Sequence, residues 1–157
     1  MRELRWLSLA TVLGAWSVIV IGGYVSHTGS GLGCSELIAC GTPNDPVAAF
    51  VESMHRLAAW VEGLLVLAML VLALWRYRTW TRVRDLTVLA FVLVAAQAGL
   101  GILAVMTELN ALVVTAHLGV ATAFLAVTVL NAATIFRGAP PMDAIARGPA
   151  TGTPNTG

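Results

Sequence analysis

Charge is what this sequence has least of. Only 11% of its 157 residues are Asp, Glu, Lys or Arg, against about 25% in an ordinary soluble domain. So few charges cannot solvate a surface of this size, so most of that surface must face lipid. Net charge is +1, which removes the electrostatic case for nucleic acid or for an acidic partner. Lysine is absent, and all nine basic residues are arginine. Cysteine is confined to Cys34 and Cys40, and histidine to His27, His55 and His117. With no further Cys or His within reach, a four-ligand zinc site is disfavoured. The first apolar run lacks a small-residue cleavage site and is long enough to span, so no cleavable signal peptide is expected.

What the chain does have is apolar runs. Four of them, about 6–25, 54–75, 86–106 and 111–136, approach the roughly 20 residues needed to cross a hydrocarbon core. The expected fold is all-α, an integral membrane four-helix bundle occupying 1–137. A loop at 26–51 joins the first two spans, and a tight Thr107-Glu108-Leu109-Asn110 turn joins the last two. The segment 138–157, rich in Pro, Gly and Thr, reads as a disordered tail. Arginines set the expected orientation. Arg2 and Arg5 precede the first span, Arg76, Arg78, Arg82 and Arg84 fill the second connection, and Arg137 and Arg147 follow the fourth. By the positive-inside rule both termini are cytoplasmic and the loop 26–51 lies outside, in a cell membrane. There Cys34 and Cys40 occupy a compartment where disulfides persist. A structural staple and a redox-active pair are both open readings.

Ionisable residues inside a span are costly and point by default to function. His55 lies near the outer end of the second span and His117 about two turns into the fourth. Two histidines on separate helices at similar depth suit bis-histidine haem ligation in a bundle core; as polar contacts between helices they would be equally ordinary. Glu52, three residues before His55, shares its face if the helix starts that early. It reads either as a proton-handling group beside a haem ligand or as a helix-start acid complementing the dipole. Arg56 can pair with a haem propionate or snorkel to the headgroups. Glu62 continues the stripe ~10 Å deeper, as a proton-path residue or, the favoured reading, a helix–helix hydrogen-bond donor. Gln97, with Gly99 and Gly101, offers a polar handle and close backbone approach, which packing alone also explains.

Taken together these segments resemble heme A synthases. Gly22-Gly23-Tyr24-Val25, Thr28-Gly29-Ser30-Gly31-Leu32 and the two cysteines are similar to that family's first helix and outer loop. Glu52-Ser53-Met54-His55-Arg56-Leu57 looks like its glutamate–histidine motif, Gln97-Ala98-Gly99-Leu100-Gly101 its third-helix pattern, and Thr115-Ala116-His117-Leu118 its fourth-helix ligand segment. The ordered set covers nearly all of 22–118. The resemblance implies an enzyme that oxidises a methyl group of heme O to the formyl group of heme A, for terminal oxidases. Two hydroxylations would give a geminal diol that loses water to an aldehyde. By position, His55 and His117 would ligate haem (heme b as bound haem, heme O as substrate). Arg56 and Gln97 would contact the cofactor, Glu52 would be catalytic, and Cys34 and Cys40 the outer-loop pair. No flavin or non-haem iron motif is present, so the haem itself is expected to take part in the oxidation.

Two departures stand out. Family members commonly have eight spans in two similar halves, and this chain resembles the N-terminal half alone. A homo-oligomer is therefore expected, for instance a dimer that rebuilds eight helices by symmetry; heme O synthase is a further candidate partner. An Arg is usual before the Thr-Gly-Ser-Gly stretch, where this chain has Ser26-His27. His27 reads as its replacement toward a propionate or as an exposed loop histidine. Two other functions compete. A small membrane cytochrome b that only carries electrons usually needs ligands near both faces, and the inner half here has no histidine. A quinone-linked thiol oxidoreductase normally needs more than one cysteine pair.

Overall fold

The structure is a computed structural model, and it describes residues 2–32 and 45–138. Those residues form four helices, α1 (Arg2–Thr28), α2 (Pro46–Trp75), α3 (Thr81–Met106) and α4 (Ala111–Arg137), plus a short 3₁₀ turn at Ser30–Leu32. There is no strand among the described residues. All four helices are long and apolar enough to cross a membrane. With lengths of 26 to 30 residues, each is some 40 Å long at the usual rise per residue, so its ends project beyond a ~30 Å hydrocarbon core. The fold is that of a multi-pass membrane protein.

The short α2–α3 and α3–α4 connections force antiparallel neighbours. α1 packs on α2, α2 on α3, α3 on α4, and α4 back on α1. The helices thus form a square in which α2 and α4 sit diagonally and run in the same direction. The connection 107–110 lies at one end of the bundle, while the described N-terminus, the 76–80 connection and the end of α4 lie at the other, the terminal end.

Helix bounds differ from the sequence expectation, α1 starting at Arg2 and ending at Thr28, α2 starting at Pro46 and α3 at Thr81. The residues 26–28 and 46–51, expected within the outer loop 26–51, are helical. α2 begins eight residues ahead of the apolar run because Asp45 caps it, accepting from the Val47 and Ala48 N–H groups at 2.9 and 3.2 Å. Pro46 at the first helical position has its φ already set for the helix and lacks only an N–H that would go unpaired there. α3 likewise begins at Thr81, five residues before its apolar run. Cys34 and Cys40, and the expected tail beyond Gly138, lie outside the described residues.

Packing is layered along the axis. Leu4, Met69, Trp80, Val83 and Ile135 close the terminal end. Above them Ser8, Thr11, Thr87, Thr128 and Asn131, all buried, line a cavity of about 10 Å³, the size of one water molecule. Asn131 Nδ2 donates to Thr87 Oγ1 at 2.9 Å, tying α4 to α3. Thr11 Oγ1 donates to Met69 Sδ at 3.4 Å, tying α1 to α2. Between helices in lipid, where no hydrophobic drive acts, such contacts and close packing supply the adhesion. A second apolar layer of Ala15, Val66, Ala90 and Phe124 follows, and the polar side chains of the other half of the bundle lie beyond it.

Candidate functional site

α2 buries one stripe that includes Ala49, Glu52, Glu62, Val66, Met69 and Ala73. This follows from the 3- and 4-residue spacing of a helix face. His55 is three residues past Glu52 and seven before Glu62 on that same side. Because α2 starts at Pro46, His55 is nearly three turns inside the helix rather than near its end. His117 is about two turns inside α4, so the two imidazoles come to similar depth. They sit on the diagonal helices and lie close enough to interact electrostatically across the bundle.

Each ring rests against a glycine of a neighbouring helix. A Cβ at Gly22 of α1 would lie 2.8 Å from His55 Cε1, and one at Gly101 of α3 would lie 3.6 Å from His117 Cε1. Gly22 is therefore required for the His55 ring to occupy its place, whereas Gly101 gives ordinary contact distance. Both Nδ1 atoms are buried and have no hydrogen-bond partner among the described residues. A pair of imidazoles acting as polar contacts between helices would spend those atoms on a neighbour. Neither Nδ1 is spent in that way among the described residues. No group of three or more His, Cys, Asp or Glu side chains able to hold a bare metal ion occurs among the described residues. Two ligands from opposite helices fit an iron whose remaining positions a macrocycle fills.

Glu52 is only 2% exposed and forms an ion pair with Arg56 one turn further along α2. The helix does begin early enough for Glu52 to join the His55 face. Arg56 neutralises a buried carboxylate there, rather than pointing only to headgroups. Gln97 Nε2 donates to the backbone carbonyl of His117 at 2.9 Å. That bond braces α3 against the turn of α4 that carries the histidine, so Gln97 acts on His117 through the backbone. His27 is exposed on the last turn of α1 and is helical, not in a loop.

Glu62 departs from its favoured reading. Both carboxyl oxygens are buried without a hydrogen-bond partner among the described residues, so it makes no helix–helix hydrogen bond. Its side chain lies against Gly14 of α1, where a methyl group would overlap Oε2. The glycine seats at 14 and 22 were invisible in the sequence, because the contact each glycine admits comes from another helix.

The fold and the histidine pair define a class: a membrane four-helix bundle carrying two half-buried imidazoles on its diagonal helices. The family described as cytochrome oxidase assembly protein matches residues 38–153, and the chain belongs to that family. A heme A synthase of Bacillus pumilus (strain SAFR-032) is 34% identical over 139 residues, covering 85% of this chain and 45% of its own length. A heme A synthase of Bacillus mycoides (strain KBAB4) is 31% identical over 141 residues, covering 86% and 45%. The chain thus spans a little under half the length of these relatives.

Proposed function

We propose that this chain converts heme O to heme A, oxidising one methyl group to a formyl group, with His55 and His117 as the residues that would hold a bound haem. The observation that carries this reading is the histidine pair: two half-buried rings on diagonal helices at similar depth, their buried Nδ1 atoms without a partner among the described residues. Membership of the family and the names of the two relatives support it. A bound haem supplies iron redox chemistry between the two rings.

The chain's own residues do the rest. His55 and His117 would hold the ligand, and the Gln97 bond to the His117 carbonyl braces the turn of α4 that carries the second of them. The Glu52 carboxylate takes protons released as the methyl is oxidised and stabilises positive charge developing there. Arg56 keeps that carboxylate oriented, and its fork of N–H donors can serve Glu52 and a haem propionate together. The arginine distribution supports cytoplasmic termini and a site toward the outer face of the cell membrane. Cys34 and Cys40 would lie in the loop on that side, as a disulfide. The working unit in this reading is a homo-oligomer, with heme O synthase as the donor of substrate.

The test is haem extraction from purified protein, with and without heme O supply, identified by chromatography and mass. Wild type should yield heme A or its hydroxylated precursor. Glu52→Ala should keep haem but form no product, and His55→Ala or His117→Ala should lose the low-spin spectrum. Unmodified heme b alone, with heme O available, would favour an electron carrier and overturn the synthase reading.

A further inference from the structure

Glu62 has no place in the reaction proposed above, yet it is built into the same wall of the bundle. It is 3% exposed, with neither oxygen partnered among the described residues. It shares the interior stripe of α2 with Glu52 and His55, and a glycine of α1 makes room for it just as another makes room for His55. A carboxyl group so placed is a neutral acid, since an isolated charge in that setting costs far more than a proton. A neutral acid offers one O–H donor and a carbonyl acceptor. Leaving both unmet in a low-dielectric interior costs the desolvation of each group with nothing in return. The protein keeps that cost and provides a seat for it, as it does for the two imidazoles, whose partner is a ligand.

Seven residues separate His55 from Glu62, or ~10 Å along the axis on one face of α2, so substituents on the rim of a macrocycle held by His55 would be the groups to reach the carboxyl. Two kinds of polar group occur on that rim. The propionates are anionic and do not suit a buried carboxyl that pairs with no cation among the described residues; Arg56, whose guanidinium reaches back past His55 to Glu52, suits them. The second kind is neutral. Heme O differs from heme b in carrying a hydroxyalkyl chain in place of one vinyl group, and a hydroxyl both donates and accepts, as the acid does. We propose that Glu62 recognises this hydroxyl and is the residue by which the chain selects heme O over heme b. The proposal rests on the haem site inferred above.

The experiment is a titration of the purified protein in detergent with heme O and, separately, heme b, followed by the bis-histidine low-spin absorption. Wild type should bind heme O more tightly. Glu62→Leu should remove roughly tenfold of that preference, the equivalent of one good hydrogen bond, entirely through weaker heme O binding. Glu62→Gln, whose amide also donates and accepts, should retain most of it. Equal wild-type affinity for the two haems, both low-spin, would overturn the proposal and leave the haem site standing. Weakening of both haems alike in Glu62→Leu would also overturn it, by showing a packing role. Absence of a low-spin spectrum with either haem in wild type would refute the haem site, and this proposal with it.

Discussion

Gly22 and Gly101 face the two histidines from the other diagonal of the bundle, but they are not equivalent. A methyl at Gly22 would sit 2.8 Å from the His55 ring, inside any real carbon contact, while one at Gly101 has room at 3.6 Å from His117. Gly22→Ala should therefore cut haem occupancy about tenfold or more, an effect of little over 1 kcal/mol, while Gly101→Ala stays near wild type. Haem-to-protein ratio, with circular dichroism to confirm intact helices, checks the contrast. Equal losses in both variants would mean that the ring can shift at no cost. His55, His117 and Glu52 were legible in the sequence because ionisable side chains are so rare within its spans. The glycine seats and the missing partner of Glu62 were not, since each depends on which residue a second helix brings opposite. Sequence patterning fixes the face of a helix, and only packing supplies its counterpart.

Helix starts were the least legible elements, because apolar runs report the part in lipid and say nothing of polar turns beyond it. The signal for α2 was nevertheless present as Asp45-Pro46, an N-cap followed by proline at the first helical position. Asp45→Ala should cost about 1 kcal/mol and fray the turns that lead to Glu52, lowering the thermal midpoint without altering the spectrum of haem already bound. The α3–α4 turn carries a different burden. Glu108 and Leu109 are consecutive non-glycine residues at φ 53° and 60°, a conformation costing roughly 1–2 kcal/mol per residue. Leu109 is held there by packing, its side chain lying over Gly31, whereas Glu108 is exposed. Glu108→Gly should accordingly stabilise the protein by about 1 kcal/mol, read as a higher denaturation midpoint; a lower one would show that the glutamate makes a compensating contact.

At the scale of the whole molecule, four helices, their all-α class and their apolar faces could be read from composition and run length, and the cyclic order followed from two short connections. What no single-chain reading supplies is the other half of the relatives' length. Native mass spectrometry in mild detergent should show a dimer or a higher even oligomer, and a fully active monomer would remove the expectation that copies combine. Within one chain the diagonal arrangement has a further consequence. His55 belongs to the hairpin α1–α2 and His117 to the hairpin α3–α4, and the two hairpins are joined only through residues 76–80. A molecule gripped by both rings is then a clasp between two separately insertable halves. With haem held as proposed, its capture would strengthen the packing of α2 on α3 and α4 on α1, and a chain cut within 76–80 should rejoin as a tighter complex when haem is supplied.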